Sequence, residues 1–165
     1  MPRLIFNFAD PLAVDCWRAI DDRVMGGASR SRMRHDPAGH AVFEGAISLE
    51  RNGGFASVRC APGDHGLAGA LACLLEVRGG SGTFKLNLLT DDTFDGVNYQ
   101  CSFVTDGIKW QTLRLPLAGF RAAFRGREVA GAPPLDPARV RQVGLLCAAR
   151  KAGPFALDVR RISLD

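Results

Sequence analysis

No stretch of this 165-residue chain approaches the ~18 consecutive apolar residues needed to cross a bilayer as a helix, so no direct membrane span is expected. The opening Met1-Pro2-Arg3-Leu4-Ile5-Phe6-Asn7-Phe8 lacks the long apolar segment ending in small residues that marks a secretory signal, and a cytoplasmic location is expected. Cysteine occurs five times, at Cys16, Cys60, Cys73, Cys101 and Cys147, but never as a Cys-x-x-Cys pair. An odd number of widely spaced thiols argues against a disulfide framework and against a zinc site. Most of them lie in apolar runs, as small core residues do.

Familiar catalytic and phosphate-binding patterns are also missing. Neither Ser29 nor Ser57 stands in a Gly-x-Ser-x-Gly elbow, and His35, His40 and His65 fall in polar, turn-like stretches. Gly26-Gly27-Ala28-Ser29 has no lysine at phosphate-loop spacing and leads into a strand where a helix N-terminus would be required. Asp91-Asp92-Thr93-Phe94-Asp95-Gly96 imitates the start of a calcium loop, but its twelfth position is Ser102, which has no carboxylate to offer. It reads as an acidic hairpin connection, and neither metal nor cofactor is expected. The net charge of +4 comes from 21 basic residues scattered among 17 acidic ones, which gives nucleic-acid binding no support.

What is present is a period of two. Leu4, Phe6 and Phe8 alternate, Asp10-Pro11 interrupts, and the segment up to Trp17 suits a helical turn. Arg30 to Arg34 reads as a strand with Arg30, Arg32 and Arg34 on one solvated face. Phe43, Gly45, Ile47 and Leu49 share a face of the next, and Ala56, Val58 and Cys60 a face of the one after. Leu71, Cys73, Leu75 and Val77 alternate up to Gly79-Gly80-Ser81-Gly82, then Phe84, Leu86 and Leu88; the glycine cluster predicts a hairpin between these runs. Tyr99, Cys101 and Phe103 follow the acidic loop. Trp110 opens a run through Leu113 and Leu115, and Pro116 predicts a strand end or a sheet edge. The glycine- and proline-rich stretch from 118 to 137 is the least regular part. Val143 to Cys147 reads as a buried strand. Phe155, Leu157 and Val159 share a phase that Ile162 and Leu164 break by one residue, which predicts a β-bulge at Arg160-Arg161. With no repeat and no linker, residues 1–165 read as a single-domain, all-β antiparallel sandwich.

Two glycine-bearing knots stand out, Asp22-Arg23-Val24-Met25-Gly26-Gly27-Ala28-Ser29 and Asn52-Gly53-Gly54-Phe55-Ala56-Ser57-Val58-Arg59. Together with Trp17, Phe43-Glu44-Gly45, Trp110, Leu115-Pro116-Leu117, Phe120, Arg125-Gly126-Arg127 and Val143-Gly144-Leu145, they resemble the complex I intermediate-associated protein 30 family over nearly the whole chain. The resemblance implies a jelly roll of the galactose-binding-like type. It also implies a non-enzymatic assembly factor or chaperone, whose partners would be proteins such as complex I subunits or assembly intermediates. Asp22, Val24, Met25, Gly26, Gly27, Ser29, Asn52, Gly53, Gly54, Phe55 and Arg59 are then either an interaction surface or a structural plug. In the structural reading Val24 and Met25 enter the core and Arg59 pairs with Asp22. A carbohydrate or small-ligand module on the same fold is the alternative, with Tyr99 and Trp110 as candidate aromatic platforms.

Overall fold

The computed structural model describes residues 2–21, 28–50, 54–80, 82–148 and 151–165. The alternating runs become strands β1 (Arg3–Asn7), β2 (Trp17–Ala19), β3 (Arg30–Asp36), β4 (His40–Ile47), β5 (Phe55–Cys60), β6 (Ala72–Gly79) and β7 (Thr83–Leu89). They continue with β8 (Asn98–Val104), β9 (Gln111–Pro116), β10 (Arg121–Phe124), β11 (Arg127–Glu128), β12 (Gln142–Ala148) and β13 (Gly153–Leu164). The helical turn expected before Trp17 is a 3-10 turn at Pro11–Val14, capped by the Asp10 carboxylate accepting from Leu12 N.

Among the described residues, β3-β4-β13-β6-β9 pair in that order, with β1 also on β13, to make a six-stranded sheet. A seven-stranded sheet runs β11-β10-β8-β7-β12-β5-β2. Each pairing is antiparallel, and the two sheets face each other as a jelly-roll sandwich. One face of every long strand meets the core because side chains alternate. Phe43, Leu75, Leu157, Ile162 and Leu164 come from the six-stranded sheet, and Phe84, Leu86, Leu88, Val58 and Leu145 from the other, all essentially excluded from solvent.

The phase break near the C-terminus is a bulge. Against β6 the register slips between Val159 and Arg161, so Arg160 is the extra residue and both Val159 and Ile162 point inward. The Arg160 carbonyl accepts from Phe8 N at 2.9 Å, which anchors the end of β1 to the bulge. Pro116 closes β9, the edge strand of its sheet, where its missing donor breaks no ladder bond.

The hairpin expected across Gly79-Gly80-Ser81-Gly82 does not form. Strand β6 pairs with β13 and β9, and β7 with β8 and β12, so the glycine cluster carries the chain from one sheet to the other. Gly79, Gly80 and Gly82 have φ of +79°, +78° and +117°, a sequence of left-handed conformations that suits a sharp crossing as well as a hairpin turn. Leu49 and Leu71 keep their parity but fall just outside β4 and β6, and both are exposed. The irregular 118–137 stretch contains the short β10–β11 hairpin, an edge the seven-stranded sheet uses to wall its outer face.

Candidate functional site

Of the two glycine knots, Asp22, Val24, Met25, Gly26, Gly27, Asn52 and Gly53 lie outside the described residues. Ser29, the last residue of the first knot, is fully buried; its hydroxyl donates to Ser48 O at 3.1 Å and accepts from Ser48 N at 2.9 Å, extending the ladder between their segments. Gly54 has a φ of +140°, and Phe55 starts β5 opposite Ala148. Arg59 reaches the 90–97 loop: its Nη1 donates to Phe94 O at 2.7 Å and its guanidinium lies 5.9 Å from the Phe94 ring centroid, and its expected partner Asp22 is outside the described residues. Burial lowers the Arg59 pKa, opposed by Cys60, Asp95 and Asp91.

Neither proposed aromatic platform is open. Tyr99 is 7% exposed, with its ring in the core and its hydroxyl donating to Pro133 O at 2.8 Å. A phenol in a strand interior packs inward and needs only one partner for its polar tip. The Trp110 ring lies on the outer face of the six-stranded sheet, with the Arg160 and Arg78 guanidiniums 3.9 and 4.6 Å from its centroid and His40 edge-on at 5.3 Å. Stacked cations take the face that a sugar would need.

Much of that outer face is internally paired. Arg32 and Arg34 both bond Glu44, Arg78 bonds Asp158, and Arg160 and Arg161 share Glu76. The acidic loop between β7 and β8 is spent in the same manner. Asp92 holds Arg141, Asp95 holds Arg125, and Asp91 accepts from Thr93. Among the described residues there is no His, Cys, Asp and Glu group suited to a metal ion. Cys60 Sγ lies 3.8 Å from His65 Nε2, yet burial pushes the thiol up to about 12 and the imidazole down, the reverse of an activated thiolate–imidazolium pair.

The outer face of the seven-stranded sheet is different. Antiparallel register aligns Arg121, Gln100, Asn87, Gly144, Arg59 and Arg18 into one outward row across β10, β8, β7, β12, β5 and β2. At the usual strand spacing that row is about 24 Å long. Gly144 leaves a dip in the middle: a Cβ there would meet Val58 O at 3.0 Å and would stand between Asn87 and Arg59. Asn87 is buried beside the dip with its Oδ1 unpaired. The 90–97 loop folds over one end of this face, where Gln142 Nε2 donates to Asp91 O and Thr93 O, each at 2.9 Å.

Toward the β10 edge the row opens into a shallow groove of about 280 Å³ bounded by Lys85, Gln100, Ser102, Arg121, Ala123 and Glu128. The side chains of Lys85, Gln100 and Ser102 bond to no other described residue. Arg121 has only the exposed ion pair to Glu128 at 3.3 Å. Unspent donors over small alanines are equipped to recognise a polar ligand by hydrogen bonds, and no nucleophile with its base stands among them. Lys85, Asn87, Gln100, Ser102 and Gly144 are not among the site residues expected from the sequence, where Gly144 stood only in the family motif and Ser102 only as the twelfth position of the calcium-like loop. The available signal was a polar residue at every second position of β7 and β8, which alone says only that one face is not core.

The family model described as complex I intermediate-associated protein 30 (CIA30) matches residues 6–159. The Schizosaccharomyces pombe protein named "Uncharacterized protein C9E9.15" is 27% identical over 150 residues, spanning 79% of this chain and 67% of that one. Among solved structures, the family 11 carbohydrate-binding module of the cellulosomal cellulase Lic26A-Cel5E of Clostridium thermocellum superposes with a TM-score of 0.70 at 16% identity, covering 99% of this chain and 94% of that one. The Clostridium thermocellum family 11 module in complex with a β-1,3-1,4-mixed-linked tetrasaccharide gives 0.69 at 17% identity over the same shares. At such identities the likeness is one of fold, a galactose-binding-like jelly roll.

Proposed function

This chain belongs to the complex I intermediate-associated protein 30 family as a non-catalytic β-sandwich binding module, and from that premise we propose that the outer face of its seven-stranded sheet binds carbohydrate. The observation that carries the reading is the groove whose Lys85, Gln100 and Ser102 side chains are all unspent. Hydroxyl-rich ligands exchange water for fixed donors and acceptors of this kind, and the small side chains of Ala122 and Ala123 leave the groove room for them. The solved modules that share the fold are described as carbohydrate-binding, one with a tetrasaccharide bound, which favours the same use of a sandwich face. Recognition here rests on hydrogen bonds, since Tyr99 and Trp110 are committed elsewhere.

The test is a thermal melt against a panel of neutral and acidic oligosaccharides. A ligand at about a hundred times its dissociation constant adds ~2.7 kcal/mol. For a chain of this size that raises the midpoint by roughly 5–11 °C. The shift should disappear in a double variant, Gln100→Ala with Ser102→Ala. A flat response across the panel would contradict the reading.

A protein-partner role in assembling complex I is the second reading. It is favoured by the family's description and by Phe94 and Phe124, exposed apolar rings on the segments that the Asp95–Arg125 ion pair joins. Capture of a complex I subunit by this chain, lost on Phe94→Ser, would support it.

A further inference from the structure

The two outer faces of the sandwich handle charge differently. On the six-stranded sheet Arg32, Arg34, Arg78 and Arg160 each bond a carboxylate, while Arg30 and Arg114 have no carboxylate partner among the described residues. On the seven-stranded sheet Lys85 and Arg18 have no carboxylate partner among the described residues, and Arg59 donates to a backbone carbonyl. The nearest acidic groups are already taken, Asp95 by Arg125 and Asp92 by Arg141. Only Glu128 brings negative charge into the groove, and its partner Arg121 holds it at 3.3 Å in solvent, a pairing that an incoming anion can displace at little cost.

The register fixes how these groups are disposed. Gln100 pairs with Asn87 and with Arg121, and Ser102 pairs with Lys85, so Gln100 and Ser102 lie on the strand between the two cations. Lys85 and Arg121 are therefore diagonal to one another, two strand spacings apart across the sheet and two residues apart along it, about 12 Å, with an amide and a hydroxyl on the floor between them. The groove offers cationic donors at its sides and neutral hydrogen-bonding groups beneath. That pattern matches one sugar ring that carries both a carboxylate and free hydroxyls.

We propose that the groove selects acidic saccharides, holding a uronic-acid carboxylate between Lys85 and Arg121 while Gln100 and Ser102 bond the ring hydroxyls. This inference rests on the carbohydrate-binding reading and deepens it. Glu128 acts in it as a tuning residue, competing with the ligand carboxylate for Arg121.

Isothermal titration of the full chain with oligogalacturonate, with neutral mixed-linked glucan oligosaccharides, and with dextran sulfate and polyphosphate as anions that carry no uronic-acid carboxylate tests the proposal. Oligogalacturonate should bind, the neutral oligosaccharides should bind more weakly or not at all, and added salt should weaken the uronate. Lys85→Gln should lower uronate affinity by about tenfold or more, as expected for loss of one charge-assisted contact. Glu128→Gln should raise it, a gain that damage to the fold would not produce. Neutral saccharides binding as well as the uronate, with Lys85→Gln silent, would overturn the acidic preference and leave the carbohydrate reading standing. Dextran sulfate and polyphosphate binding as tightly as the uronate would also overturn it, reducing the groove to a basic patch. If no saccharide binds, both readings fall.

Discussion

Asp21 accepts a hydrogen bond from Ser57 N at 3.0 Å, joining the end of β2 to β5, and its other oxygen accepts from Ser31 N at 3.0 Å in β3. The Ser31 hydroxyl donates to the same carboxylate. One side chain, 3% exposed, thus ties a strand of the six-stranded sheet to two strands of the seven-stranded one. Leaving a buried donor without a partner costs about 1–3 kcal/mol. Asp21→Ala strands at least two, so a loss of roughly 3 kcal/mol is expected, visible as a lower denaturation midpoint in urea with an unchanged m-value. An unchanged midpoint would show that water replaces the carboxylate.

Trp110→Ala should cost about 1–3 kcal/mol through lost packing under Arg160 and Arg78. It should leave saccharide affinity untouched, because the ring lies on the other sheet. Loss of binding without loss of stability would restore Trp110 as a platform.

Burial acts to raise the Glu44 pKa, but hydrogen bonds from Arg32 and Arg34 outweigh it and hold the carboxyl below its ordinary value. A depressed folded pKa stabilises the fold above the unfolded value of ~4.3 and is lost as pH falls through the folded one. Stability should therefore decline on acidification below that unfolded value. Glu44→Gln should flatten part of the decline, by less than about 1 kcal/mol because both arginines remain partly exposed. Identical pH profiles for the two proteins would contradict the pairing.

All five thiols are free, and burial raises Cys60 and Cys73 to about 12 and Cys147 to about 11. In native buffer near pH 8 these three should resist iodoacetamide while the half-buried Cys16 and Cys101 react slowly. Mass spectrometry of the alkylated peptides reads the order. Rapid labelling of Cys73 would mean that the core opens at native pH.

Local pattern was legible in this sequence and pairing was not. The phase break between Val159 and Ile162 located the Arg160 bulge because a two-residue period can absorb an odd residue only in that way. Pro116 marked an edge for an equally local reason. The glycine cluster at 79–82 announced a reversal without saying which sheet the next strand would join, since β6 meets β13 some eighty residues away. The candidate groove depends on the same missing information. Gln100 faces Arg121 and Asn87 only once register is known, and Tyr99 reveals its buried role only through Pro133.

The most direct measurement is an amide chemical-shift titration of the isotope-labelled chain with the saccharide that gives the largest thermal shift. The account predicts perturbations centred on Lys85, Asn87, Gln100, Ser102, Arg121 and Gly144, with Val42, Glu44 and Asp158 on the opposite outer face unchanged. Saturable shifts confined to that opposite face, or no shift at any amide with saccharide in excess, would contradict it.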